Sequence, residues 1–418
     1  MNIALVFPES TFLIDPMVYP PLGLWYIAAH LEKFGHKTEF FDLSVDRLPR
    51  DGFFDQMWVS GTSAQMHSLR KLGRIVRDWK KTATVIGGPA AWVNPRGCQS
   101  LGFDLTVSGE ADDPETVSQA LRVARRRHSS MLVVGTRRAA PSLTPVRRWS
   151  HRYHAYLEDR NGVKHPTTTL FTSRGCPMAC AFCESGRNGV IWDKYVRYEP
   201  IEMVESQLRE IRDLGFSGAM FYDDILPLNK PRTLAILDVL KEVSLVWRCF
   251  IRTDVITKQG GFEYLREMAD AGLVEVLAGV ESADNQIKEN IHKGTTIEQD
   301  TQVLDWCREL GIRFKASFIL GLPGENWESM RRTRDWILHH RPDRADVNTL
   351  IPFPGTPITS HPECYDLFWT ERIPEEFWYK GPRDESNAIV GTSSLEPHEI
   401  KSFRDELIKD LEREGIPY

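Results

Sequence analysis

The chain is poor in cysteine: there are seven in 418 residues, and four of them, Cys98, Cys249, Cys307 and Cys364, stand alone. That pattern excludes a disulfide-stapled scaffold and fits a reducing, cytoplasmic setting. Long apolar runs are missing as well, since none reaches the ~18 residues of a membrane span. Met1-Asn-Ile-Ala-Leu-Val-Phe-Pro has a short apolar run but neither a basic flank nor a small-residue cleavage site, so it reads as a buried strand and not a signal peptide. There is no basic surplus: 52 Lys and Arg against 58 Asp and Glu leave a formal charge of −6, which argues against dedicated nucleic-acid binding. What these absences leave is a globular chain long enough for two domains with sizeable cores.

The remaining three cysteines sit together in Thr172-Ser-Arg-Gly-Cys176-Pro-Met-Ala-Cys180-Ala-Phe-Cys183, with no fourth Cys or His following at metal-ligand spacing. A structural zinc site wants four ligands, usually as two separated Cys pairs. An iron-sulfur cubane with three protein thiolates instead leaves one iron open, as a catalytic zinc keeps an open position. The zinc knuckle stays as the alternative.

Ahead of this loop, strand-like runs at 2–7, 38–41, 57–60, 82–86 and 105–107 alternate with helical patterns, including one opened by Pro20-Pro21 and stopped by Gly35 and one over 66–79. Alternation of this kind predicts a doubly wound parallel sheet, with ligands bound beyond the carboxyl ends of its strands. Residues 122–165 carry the basic runs Arg125-Arg126-Arg127, Arg137-Arg138 and Arg147-Arg148 with little periodicity, and read as a linker with a solvated charged face in preference to a stripe for an anionic substrate or RNA. From Thr167 the alternation resumes, with strands expected at 167–172, 219–222, 246–251, 274–278, 314–320 and 346–350. Six such units make a partial, open barrel whose active-site residues belong at the carboxyl ends of its strands.

The Cys-x3-Cys-x2-Cys spacing, with Phe182 before the last Cys and a barrel-like series after it, resembles the radical S-adenosylmethionine (radical SAM) superfamily, and more narrowly its subgroup with a cobalamin-binding-type domain in front. The resemblance implies an α/β fold: a Rossmann-like, cobalamin-binding-type domain at 1–130, a linker at 131–165, a partial (β/α)6 radical SAM barrel at 166–360 and a short helical extension at 361–418. It also implies that Cys176, Cys180 and Cys183 hold a 4Fe-4S cluster whose open iron chelates SAM, and that reduction of the cluster cleaves SAM to methionine and a 5′-deoxyadenosyl radical. An electron donor such as flavodoxin or ferredoxin is implied with it.

Further positions follow from the same resemblance, each at an expected strand end. Asp223 or Asp224 would meet the SAM amino group, Arg252 the SAM carboxylate or substrate, and Glu281 with Ser282 the ribose, a carboxylate being suited to accept from both hydroxyls of a diol. Gly321, Glu325, Pro354 and Gly355 would lie on the adenine side. Lys293, in a His-Lys-Gly-Thr-Thr run, reads as an exposed helix-end lysine. Cobalamin is a further candidate cofactor, with small residues at Gly61, Ser63, Gly87, Gly88 and Gly109 where a bulky ring system could approach the backbone. The chain lacks Asp-x-His-x-x-Gly, the motif that supplies a lower axial His, so any corrin is expected base-off. The expected function is a radical SAM enzyme acting on a small polar substrate. Cobalamin-assisted C-methylation stands beside cobalamin-free dehydration, isomerisation or redox change of a sugar or nucleotide, and beside a non-enzymatic iron-sulfur or zinc scaffold.

Overall fold

Residues Ile3, Ala4, Leu5 and Val6 are buried on both faces of the first strand, which is what a near-continuous apolar run gives in a parallel sheet covered by helices on each side. The computed structural model describes residues 1–124, 131–135, 143–186, 195–370 and 387–418. Two compact units divide between His154 and Ala155.

The first unit is a six-stranded, all-parallel sheet of β1 (Asn2–Phe7), β2 (Lys37–Asp42), β3 (Gln56–Ser60), β4 (Ala83–Gly87), β5 (Leu105–Ser108) and β6 (Met131–Val134) in the order β2-β1-β3-β4-β5-β6. Strand order reverses between β1 and β3, so the loops after these two strands flank a topological switch point. The helices are α1 (Leu22–Lys33), α2 (Met66–Val76), α3 (Pro89–Val93), α4 (Pro95–Gln99) and α5 (Pro114–Ala124). Two sequence expectations change here. The stretch 131–165, read as a linker, supplies β6 to this sheet, and its part from Tyr156 onward supplies strands to the next unit. Nor is Arg147 part of a solvated face, since it is buried; Arg148 is exposed, pairing with Glu32 at 2.6 Å while lying over the Trp149 ring. Arg125-Arg126-Arg127 and Arg137-Arg138 lie outside the described residues.

The second unit has a seven-stranded sheet of β7 (Tyr156–Glu158), β8 (Lys164–Leu170), β11 (Gly218–Phe221), β12 (Val246–Ile251), β13 (Leu273–Glu281), β14 (Arg313–Leu320) and β15 (Arg344–Thr349). Two short strands, β9 (Ser173–Arg174) and β10 (Arg197–Tyr198), pair separately. The six parallel strands run in sequence order from β8 to β15, and β7 folds back antiparallel on β8. This is a curled half-barrel with an outer layer of α6 (Ile201–Asp213), α7 (Lys230–Val243), α8 (Thr253–Gln259), α9 (Gly261–Asp270), α10 (Asn285–Asn290), α11 (Ile297–Glu309) and α12 (Trp327–His340). Strand alternation sorts its side chains. On β14, Phe314, Ala316, Phe318 and Leu320 pack into the helix layer, while Lys315 and Ser317 lie on the other face.

After α13 (Pro357–Ser360), the antiparallel pair β16 (Leu367–Trp369) and β17 (Val390–Thr392) leads into α14 (Pro397–Glu414). That helix is not a mere extension. Ile400, Phe403, Leu407, Ile408 and Leu411 join the same apolar core as the barrel strands, and Arg404 Nε donates to the carbonyl of Val347 on β15 at 3.0 Å. Leu407 is fully buried, so Leu407→Ala is predicted to destabilise the second unit by about 2–5 kcal/mol, the range for emptying such a site. Denaturant titration of the unit's far-ultraviolet signal reads this. An unchanged midpoint would make α14 an appendage.

Candidate functional site

The cysteine loop is held from below. After β8 the chain passes Thr172, whose backbone N–H and Oγ1 donate to the two oxygens of Asp223 at 2.8 and 2.7 Å; the Ser173 hydroxyl donates to the same carboxylate. Arg232 Nη2 donates to the Thr172 carbonyl at 3.1 Å. Gly175 then turns with φ +101°, a left-handed conformation that a side chain would strain. Farther along, the backbone of Ala181 donates to Ile291 at 2.9 Å and accepts from Ile358 at 3.2 Å. Cys176 and Cys180 are thereby buried and Cys183 half-buried.

All three cysteines line one cavity of about 230 Å³ in the half-barrel. Asp224, Arg252, Glu281 and Lys293 line it too, with Phe182, Phe250 and Leu277 giving apolar wall. Among the described residues no three His, Cys, Asp or Glu side chains come close enough to chelate a single ion. Burial, with the nearby Asp224 carboxylate, pushes the Cys176 thiol up to about 11; burial and the neighbouring Cys180 push Cys183 up to about 12. Neutral thiols of this kind release protons only when a metal replaces them, and three buried sulfurs on one wall suit a cluster larger than an ion.

The charged groups around the cavity are fixed in pairs. Glu281 adopts φ +65°, in the left-handed region, and sits where the pairing of β13 with β14 shifts register after Gly279. Such strain costs on the order of 1–3 kcal/mol and persists where surrounding structure imposes it. Here it brings Oε1 to 2.7 Å from Lys293 Nζ. A Cβ on Gly279 would stand 2.2 Å from that oxygen, which accounts for the glycine. Burial works against the charge on Lys293, and Glu281 more than restores it. Beneath, Lys288 Nζ donates to Asp300, to the Val280 carbonyl at 2.6 Å and to Thr295 Oγ1 at 3.2 Å, while Thr253 Oγ1 donates to Asp300 at 2.6 Å. Burial raises the Asp224 carboxyl to about 7, against the hydrogen bonds it accepts from Ser185 and the Gly175 N–H.

The structure therefore separates the residues expected from the sequence. Cys176, Cys180, Cys183, Phe182, Asp224, Arg252 and Glu281 share the cavity. Asp223 faces away, fully used in holding Thr172 and Ser173. Ser282 is buried against Thr333, 3.4 Å between hydroxyls, and caps the turn to Asp284. Gly321, Glu325, Pro354 and Gly355 are not among the lining residues. Lys293 is buried and lines the cavity instead of standing exposed. Leu277 and Ser317 were missed, although Leu277, Gly279 and Glu281 follow the period of two of one strand face.

In the first unit the small residues named as cofactor loops are largely occupied by the protein itself. A Cβ on Gly88, at φ +85°, would stand 2.3 Å from Ser60 Oγ; one on Gly109 would meet the Gly135 carbonyl at 3.1 Å and one on Gly61 the Leu69 side chain at 3.0 Å. Gly87 has nothing closer than 3.6 Å, and Ser63 begins a turn closed by reciprocal bonds between Thr62 and Gln65. Gly61, Gly88 and Gly109 serve close packing at the strand ends, whereas a Cβ on Gly87 would make only ordinary van der Waals contact with Val107. The parallel sheet and its switch-point loops remain as the place for a ligand.

Residues 170–337 match the Radical SAM superfamily. Over 88% of its length the chain is 26% identical to an uncharacterized methyltransferase of Pyrococcus horikoshii, covering 85% of that protein. Over 91% of its length it is 25% identical to the cytidylyl-2-hydroxyethylphosphonate methyltransferase of Streptomyces wedmorensis, covering 84% of it. Among solved structures, the radical S-adenosylmethionine methyltransferase TsrM from Kitasatospora setae, with cobalamin and a 4Fe-4S cluster bound, aligns with 99% of this chain and 88% of its own. The TM-score is 0.70 and the identity 14%, a likeness of fold.

Glu325 yields a pH prediction. It is fully buried, accepts from the Gly321 N–H at 2.5 Å and the Leu322 N–H at 3.4 Å, and its Oε1 has no partner among the described residues. Burial outweighs those two bonds and raises its carboxyl from 4.5 to about 8. Between these values the folded chain holds a proton that the unfolded chain has lost, so stability falls as pH rises, by up to about 1.4 kcal/mol per pH unit. Glu325→Gln is predicted to remove that share of the slope between pH 5 and 8. Equal slopes for the two proteins in denaturant titrations would show Glu325 ionised throughout.

Proposed function

We propose that this chain, a radical SAM enzyme with a cobalamin-binding-type fold in front of its half-barrel, is a methyltransferase that places a methyl group on a carbon of a small polar substrate. One observation carries the reading: three cysteines without a fourth ligand share a single cavity with Asp224, Arg252, Glu281 and Lys293 at the carboxyl ends of the barrel strands. The methyltransferase names of its relatives support the choice of reaction. When bound, the 4Fe-4S cluster and SAM supply one-electron cleavage chemistry, and cobalamin supplies a methyl carrier.

The chain's own residues do the rest. Cys176, Cys180 and Cys183 would hold the cluster, losing their protons as it loads. Asp224 would accept from the SAM ammonium, and a carboxyl near 7 is charged readily when that cation arrives. Glu281 keeps one oxygen on Lys293 and has the other for a hydroxyl pair. Phe250 and Leu277 give the cavity apolar wall, which would shield bound SAM from water on that side. A corrin would be held by the switch-point loops of the first sheet, which follow β1 and β3. A flavodoxin- or ferredoxin-type donor would supply the electron. No helix among the described residues is long and apolar enough to cross a membrane.

Two outcomes test this. Cys180→Ala is predicted to abolish SAM cleavage and the iron-sulfur chromophore in anaerobically prepared protein, while Cys98→Ala, Cys249→Ala, Cys307→Ala and Cys364→Ala retain both; cluster-dependent activity in Cys180→Ala would end the assignment. Protein produced with cobalamin is predicted to retain about one corrin per chain through gel filtration, read from its visible spectrum. Corrin-free protein that still turns over substrate and releases 5′-deoxyadenosine would replace methylation with cobalamin-free radical chemistry. Gly88→Trp is not a clean probe of corrin binding, because the side chain would collide with Ser60 and Gly61 before reaching any ligand.

A further inference from the structure

Arg252, at the end of β12, would be placed by the resemblance near the SAM carboxylate or the substrate. Its guanidinium is instead engaged by the protein on three sides. Nε donates to Asp254 Oδ1 at 3.0 Å, Nη2 donates to the Lys293 carbonyl, and Nη1 lies 3.6 Å from Cys180 Sγ, within reach of an N–H···S bond. The side chain is only 7% exposed. A planar fork held at two corners cannot turn its third away, and that third corner is on a sulfur.

We propose that Arg252 is a positioning residue for the cluster: its Nη1–H donates to the Cys180 sulfur and stabilises the reduced cluster, and it does not bind the SAM carboxylate. This rests on the proposed function, in which Cys180 is a cluster ligand. Reduction adds one electron, part of whose charge falls on the thiolate sulfurs. A donor N–H aimed at one of them, with a fixed positive charge behind it in a cavity of low dielectric, favours the more negative state. Asp254 offsets some of that charge but sets the plane of the fork. Lys293 is tied to Glu281 through its side chain and lends Arg252 only its carbonyl.

The test uses the full chain, reconstituted anaerobically, with the cluster titrated by electron paramagnetic resonance in the absence of SAM and SAM affinity measured separately by equilibrium binding. Arg252→Gln is expected to shift the reduction equilibrium at least ten-fold toward the oxidised cluster, about 59 mV for a one-electron couple. Arg252→Lys, which keeps the charge and loses the fork, is expected between wild type and Arg252→Gln. Both should bind SAM within about two-fold of wild type, because the guanidinium is already spoken for. If Arg252→Gln takes up no iron, the potential of Arg252→Lys decides alone. A potential indifferent to residue 252, or SAM binding weakened ten-fold at unchanged potential, overturns the inference and leaves the proposed function standing. A wild-type chain that binds no cluster overturns both.

Discussion

Charges buried at the carboxyl end of the half-barrel have to find their partners inside the protein, and the site takes its shape from how they do so. An unpaired buried charge costs several kcal/mol, so removing one member of such a pair strands the other. Lys288 with Asp300, Lys293 with Glu281, and Arg252 with Asp254 satisfy this in adjoining layers. Lys288 also reaches the Val280 carbonyl, one residue before the strained Glu281, so the deep pair braces the backbone that presents the shallower one. Asp223 does the same for the cysteine loop with neutral partners: burial would discharge it, and hydroxyl and amide donors from Thr172 and Ser173 oppose that. The cavity is a by-product of these pairings as much as of the strands.

Much of this could be read before any coordinates. Spacing among Cys176, Cys180 and Cys183 identified the loop, and strand-helix alternation placed Asp224, Arg252 and Glu281 at strand ends that converge in space. What escaped the sequence depends on distant contacts. Asp223 and Asp224 are the same residue twice, and only the passage of Thr172 beside one of them tells the scaffold from the site. Lys293 looks like a solvated lysine until Glu281, twelve residues earlier, is known to lie 2.7 Å away. Met131–Val134 is too short for its period to speak, and becomes a strand because β5 offers an edge to it. A helical extension was expected at the end of the chain, but not that α14 closes the barrel's own core.

The first sheet shows why glycine is a poor guide to ligands. Gly88 and Gly109 stand at strand ends with positive φ, as residues of a binding loop would, yet each is required by a neighbouring backbone or side chain of the same unit. The constraint that selects glycine is steric closeness, and it does not record whether protein or cofactor makes the approach. Parallel-sheet topology and its switch point carry more weight there than any single residue.

The central proposal is that Cys176, Cys180 and Cys183 would hold a 4Fe-4S cluster and leave one iron for SAM. Electron paramagnetic resonance of the reduced, reconstituted protein with and without SAM tests it most directly. The account predicts one 4Fe-4S signal per chain whose shape changes when SAM is added, because SAM ligates the open iron. A signal that SAM leaves untouched, or bound zinc in place of iron, would contradict it.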